Sequence, residues 1–433
     1  MKLVSKAALG AALALGSLSM TVALPAYAAK EKKAKKGEEA KDIGFKLNLS
    51  KEFTAKTEPA YKAYAKKDWA ALKAEVDALE PQATTPDEKY QVNDYRLSAG
   101  IGLNDTAIQS QAVDGMLATG LVQPDRAGPF HYYAGKWAYE RKEYPRAETE
   151  LKAAIAAGEV KNSDVYLTQA RMYADSKRPA ESGASLAKAV EIEKAAGKPV
   201  PEAWYNFGFT QAFNARNMPQ YVSWSTGMLR DYPSADNWRV LLQNYLALSK
   251  NISPDRKGLG GGVDLDVYRL MRAAGALAGD DDVYDYAYLT NGTGLPLEAK
   301  AVLDGWKASG KSFNADMTEL STKIAPRAAA DSKALAEVST SSSSVGDAGL
   351  ALAVGDYAKA ATIYQAAIAK GGLKDTDGTT QMRAGIALAL SGQKDAAKAI
   401  FAGIQGPRAD LAKYWTTFVE APPQPAKPLT TGQ

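Results

Sequence analysis

The sequence predicts an all-α protein, an α-solenoid of stacked helix–turn–helix units, and three observations carry that prediction. Small residues recur at a fixed distance ahead of a second small residue, with turn-forming residues between them. The pattern returns along the chain at intervals close to the length of a two-helix unit. No stretch alternates apolar and polar residues with the period of two that a half-buried strand requires.

The 433 residues are 46% hydrophobic and 24% charged, an ordinary globular composition. The chain opens "MKLVSK", continues with an apolar run and reaches "PAYA", where Ala26 and Ala28 form an A-x-A arrangement. Residues 1–28 therefore read as a secretory signal peptide, which predicts export to the periplasm. No later apolar run is long enough to span a bilayer. An oxidising compartment permits disulfides, but there are no cysteines, so the fold must rest on buried apolar area. Cleavage removes Lys2 and Lys6 from 53 basic residues and leaves a net charge of +2 against 49 acids. That balance is no nucleic-acid footprint. Residues 29–51, with "KEKKAKKGEEAKD", read as a charged, solvated tether, and contact with lipid or peptidoglycan is left open.

The repeat begins in an N-terminal block, 52–252. "AYKAYAKKDWAALKAEVDALEP", from Ala60, carries it modestly. "YYAGKWAYERKEYPRAETELKAAIAAG", from Tyr132, carries it well: Gly135 precedes Ala147 by twelve residues, Tyr144 marks the turn, and Leu151 lies one helical turn beyond Ala147. From Ala147 to Ser182 is 35 residues. In "NWRVLLQNYLAL", Trp238, Leu241 and Tyr245 share one helical face. The glycine-rich stretch 253–263 predicts a loop. A middle block, 264–338, is followed by a serine-rich linker, 339–346, whose last residues cap the next helix. The C-terminal block, 347–420, repeats the frame at Gly355, Tyr357, Ala360, Tyr364 and Ala367, then at Gly385, Gly392, Ala397 and Phe401. A proline-rich tail, 421–433, closes the chain and reads as loose.

These units resemble the tetratricopeptide repeat family, a helix–turn–helix of about 34 residues, in about eight or nine degenerate copies. The resemblance implies a partner-binding face built from the second, fifth, ninth and twelfth positions of each unit. With Gly135, Ala170, Gly208, Leu242 and Ala287 as the eighth position, it implies Tyr132, Lys136, Tyr139, Arg171, Tyr205, Phe209, Arg239, Gln243, Tyr284, Tyr288 and Asn291 as contacts. Tyrosine and arginine recur, the types that dominate interface hot spots. The later half is also similar to repeat proteins that accompany TonB-type energising complexes in Gram-negative bacteria, which implies a role in outer-membrane uptake.

Other chemistry is sparse. "GWKASGKS", Gly305 to Ser312, matches the phosphate-loop pattern letter for letter. The frame through Ala287, Gly294, Pro296, Ala299 and Leu303 instead makes it the end of a second helix, with Gly310 as its terminal glycine, so no nucleotide is expected. Asp280, Asp281, Asp282 and Asp285 read as acids at a helix start, and Asp375 to Gln381 as the turn before a helix. His131 is the only histidine, which leaves a zinc site or Ser–His–Asp catalysis without support. Neither catalytic residues nor a cofactor or metal is expected. The reading is a non-catalytic exported scaffold binding an envelope protein or peptide. An envelope enzyme, or a carbohydrate- or peptidoglycan-binding protein framed on the solenoid, is the alternative.

Overall fold

A computed structural model describes residues 46–252, 262–371, 375 and 377–423. The signal peptide and most of the tether, glycine-rich loop and proline-rich tail read from the sequence lie outside the described residues. The end of the tether, 46–51, is ordered instead, and its Ser50 caps the first helix. The fold is all-α: successive helices pack as neighbours, and the described residues contain no strand. Two compact units are distinguished, Met1–Arg178 with Ala187–Ile192, and Pro179–Leu186 with Glu193–Gln433.

The helices up to the division are α1 (Lys51–Lys56), α2 (Glu58–Ala65), α3 (Trp69–Leu79), α4 (Pro86–Gly102), α5 (Thr106–Ala118), α6 (Pro124–Glu140), α7 (Tyr144–Ala156) and α8 (Ser163–Asp175). Helix α9 (Pro179–Ala195) is divided between the units. The rest are α10 (Glu202–Asn214), α11 (Met218–Asp231), α12 (Ala235–Ile252), α13 (Val263–Ala273), α14 (Asp280–Gly292), α15 (Pro296–Ala308), α16 (Ala315–Glu337), α17 (Val345–Ala353), α18 (Tyr357–Ala369), α19 (Thr379–Leu390), α20 (Lys394–Gly403) and α21 (Ala409–Glu420).

One turn geometry joins many of the hairpins. Lys67, Lys142, Lys177, Gly294, Gly355 and Gly392 take left-handed backbone with φ between 58° and 86°. In each case the next residue donates its N–H to a carbonyl five residues back, as Glu143 to Ala138 at 2.9 Å and Asp356 to Ala351 at 3.0 Å. This double-bonded helix stop satisfies carbonyls that the helix end would otherwise orphan, and it reverses the chain sharply. Seven residues before each left-handed residue stands a buried small one: Ala60, Gly135, Ala170, Ala287, Ala348 and Gly385. Its smallness is required by close approach of the paired helix. A Cβ on Gly135 would lie 2.8 Å from the Leu151 side chain, and one on Gly385 2.4 Å from the Phe401 ring. The frame read from the sequence is therefore the packing frame.

In the first unit the cores follow chain order. Phe53, Leu72, Val76 and Val92 form one cluster, and Tyr90, Leu97, Val113, Met116 and Phe130 the next. Helix α4 starts on a capping box, with Thr85 accepting from the Glu88 N–H at 3.2 Å and Glu88 accepting from the Thr85 N–H at 3.1 Å. The second unit is built differently. Helices α14, α15 and α16 share a core of Val283, Tyr286, Leu303, Leu320 and Ile324. The last helix, α21, returns to pack on α11, α13 and α19. There the Tyr414 hydroxyl meets Ser225, the Tyr245 and Tyr414 rings lie 5.3 Å apart, and Arg230 pairs with Glu420 at 3.2 Å.

Candidate functional site

On the first unit, Tyr132, Lys136 and Tyr139 share one side of α6, and all three are half-buried. Tyr132 packs against Leu151, Ala154 and Val165, and burial together with the charge of Asp164 pushes its phenol up. Tyr139 donates to Asp175 at 2.8 Å, and burial and that bond likewise push its phenol up. The half-buried Arg171 of α8 opposes both shifts with its positive charge, so the structure does bring these residues together.

Tyr205 is a correction. It is only 2% exposed, donates its hydroxyl to Asp231 and lies edge-on to Trp224 and Tyr232. Phe209 is half-buried beside Tyr221. Gly208 keeps the close approach of the frame, since a Cβ there would lie 2.4 Å from Trp224, sixteen residues on as in the Gly135 and Gly385 hairpins. Tyr205, three residues earlier, turns inward onto α11, where a Cβ on Gly227 would lie 3.0 Å from its ring. Leu167 and Met382, at the same place before Ala170 and Gly385, are buried as well.

Arg239 and Gln243 are engaged within the chain. Both hold Asp282 at the first turn of α14, Arg239 through Nη2 at 3.1 Å and Gln243 through Nε2 at 3.0 Å. The Ala278 N–H donates to the same carboxylate at 3.3 Å. Asp282 thus ties α12 to α14 as well as standing at a helix start. Among the described residues no three acidic or histidine groups converge on a metal position.

The remaining three residues form a surface. Tyr284, Tyr288 and Asn291 lie at i, i+4 and i+7 on α14, which places them on one face. The Tyr284 and Tyr288 rings stack at 5.9 Å and 18°, with Tyr288 60% exposed. Arg327 of α16 is exposed and donates to Asn291 Oδ1 at 3.0 Å. Lys323, one turn earlier on α16, is exposed, pairs with Glu319 and lies near both phenols. A flat aromatic pair beside two cations can hold an apolar side chain and a carboxylate together.

Sequence reasoning missed a buried ionic network in the same unit. Arg269 donates to Glu298 at 2.8 and 2.6 Å and to Asp266 at 2.7 Å. Tyr286 donates to Glu298 at 2.8 Å. Arg408 donates to Asp266 at 2.9 Å and to Asp377 at 3.0 Å. Burial pushes the Glu298 carboxyl up, but the charge and hydrogen bonds of Arg269 outweigh it and hold it below its ordinary value. Asp266 and Arg269, three apart on an amphipathic helix, were the visible part of the signal. The partners at Glu298 and Arg408 are distant in sequence and were not legible.

"GWKASGKS" spans the last turn of α15 and the turn after it. Gly310 is left-handed at φ 80°, and its N–H donates to Lys307 at 3.0 Å. His131 Nδ1 lies 2.7 Å from Glu150 Oε2 on the neighbouring helix. Asp375 and Asp377 accept the N–H groups of Gln381 and Thr379 at the start of α19. Among the described residues no helix is long and apolar enough to cross a membrane. No protein-family model and no curated protein matches the chain.

Proposed function

We propose that the protein is a non-catalytic envelope scaffold of tetratricopeptide-like hairpins that docks an extended segment of another protein on the α14–α16 face. The single observation that carries this is the stacked Tyr284–Tyr288 pair with Tyr288 exposed beside Arg327. The repeated helix stops and the small-residue frame support the family resemblance. Export rests on the leader read in residues 1–28, and a link to TonB-type uptake rests on the resemblance of the later half. The segment brings an apolar side chain to Tyr288 and a carboxylate to Arg327 and Lys323.

The test is affinity capture from an envelope extract with the mature protein, compared with Tyr288→Ala and Arg327→Glu. A buried aromatic anchor contributes ~2 kcal/mol or more at an interface, so Tyr288→Ala should weaken capture of the same partner at least about tenfold. Helical circular dichroism should not change, because Tyr288 is largely exposed. A partner captured equally by wild type and both variants would show that this face is not the docking surface.

A further inference from the structure

Within the second unit, side chains from α13, α14, α15, α17, α18 and α19 line a cavity of about 150 Å³. A cavity of ~150 Å³ in an engineered apolar core takes up a benzene-sized molecule. One part of this wall is apolar, formed by Leu352, Ile386 and Leu390. The other is polar, formed by Arg269, Arg272 and Glu298.

The charges on the polar side do not balance. Asp266, Glu298 and Asp377 are the carboxylates of the network, against the guanidiniums of Arg269, Arg408, Arg383 and Arg272. Glu298 already accepts three hydrogen bonds, and Arg408 is held by two carboxylates. Arg383, on α19 behind the wall, has its buried Nε without a hydrogen-bond partner, and the fully buried Tyr364 hydroxyl also lacks one. Buried polar groups are normally satisfied, so these two are exceptions in this interior. Burial and the nearby charge of Arg269 push the Arg383 guanidinium down, and the charges of Asp266 and Glu298 oppose this without offsetting it. Arg272 is exposed on the cavity wall and forms no ion pair among the described residues. Arg269 retains N–H groups beyond the three bonds it makes.

We infer that the cavity binds a small aliphatic monocarboxylate, its carboxylate on Arg272 and the remaining N–H groups of Arg269, its hydrocarbon against Leu352, Ile386 and Leu390. A guanidinium fork orients a carboxylate through paired hydrogen bonds. The apolar wall selects against inorganic anions, which lose hydration there without gaining contact. The volume limits the ligand to a short or branched chain.

The experiment is calorimetric titration of the mature full chain with 3-methylbutanoate. Its amide is the uncharged isostere, and inorganic phosphate is the anion without hydrocarbon. A short peptide ending in leucine supplies the same carboxylate from another source. The acid should bind at least about tenfold more tightly than any of the three. Arg272→Gln, at an exposed position, should weaken the acid at least about tenfold without moving the thermal midpoint. Leu390→Trp, which fills the cavity from a half-buried position, should remove binding while the helical signal is kept. Equal binding of the amide or phosphate, tighter binding of the peptide, unchanged affinity in Arg272→Gln, or no binding at millimolar acid would each overturn the assignment.

Discussion

The two units solve the same packing problem with different ranges of contact. In the first, each hairpin leans on its neighbours in sequence, and the cores follow one another along α1 to α8. In the second, α21 returns to α11, α13 and α19: Ser225 meets Tyr414, and Arg408, just before α21, reaches Asp266. A stack of nearest neighbours unfolds piecewise, because each repeat is stabilised only by adjacent ones. A unit whose last helix is bonded to its early helices loses or keeps those contacts together. The repeat frame therefore sets the hairpin, while cooperativity depends on residues outside the frame.

The largest effect should come from Arg408, which is 1% exposed and bridges Asp266 and Asp377. Removing one partner of a buried ion pair costs about 3–5 kcal/mol, since the other charge is left buried. Arg408→Met should lower the calorimetric transition of the second unit and leave that of the first in place. A single transition shifted as a whole would break the contrast between the units.

A middle-sized effect separates two helical glycines. Gly385→Ala drives a Cβ to 2.4 Å from Phe401, and overpacking of this kind costs about 1–3 kcal/mol. Gly305→Ala meets nothing within 4 Å and gains helix propensity, up to about 1 kcal/mol. Denaturant midpoints should therefore move in opposite directions. Movement in the same direction would show that helix approach does not explain where the frame needs glycine.

The smallest effect is a pH dependence confined to the first unit. Hydrogen bonds from the Ser50 hydroxyl and the Thr84 and Thr85 N–H groups hold the Glu88 carboxyl down at about 2, against an ordinary 4.5. A depressed folded value contributes stability above the unfolded value, and that contribution is lost as pH falls from 4.5 through about 2. Glu88→Gln should flatten the loss of stability over this window, read as the change in urea midpoint between about pH 5 and pH 3. An unchanged acid slope in the variant would remove Glu88 from the account.

The hairpins were legible because their determinants are local. Gly135 with Ala147 and Leu151, Gly385 with Ala397 and Phe401, and Ser344 as the cap of α17 are spacings within one unit. The tyrosine face of α14 was legible for the same reason. Tyr205 was misplaced because Gly227 on the facing helix leaves room for its ring, and spacing within α10 does not record that gap on α11. The network around Arg269 was not legible at all. Its partners come from α13, α15 and the segments around Asp377 and Arg408, and no periodicity records which distant carboxylate a buried guanidinium will meet.

The contrast between the units is tested most directly by native-state hydrogen exchange of the mature chain, read peptide by peptide. A terminal helix ordinarily frays and exchanges early. Closure predicts instead that α21 is protected to the same free energy as α11 and α13, while α1 and α2 exchange first. Fast exchange in α21, independent of α11 and α13, would contradict it and return the second unit to an open stack like the first.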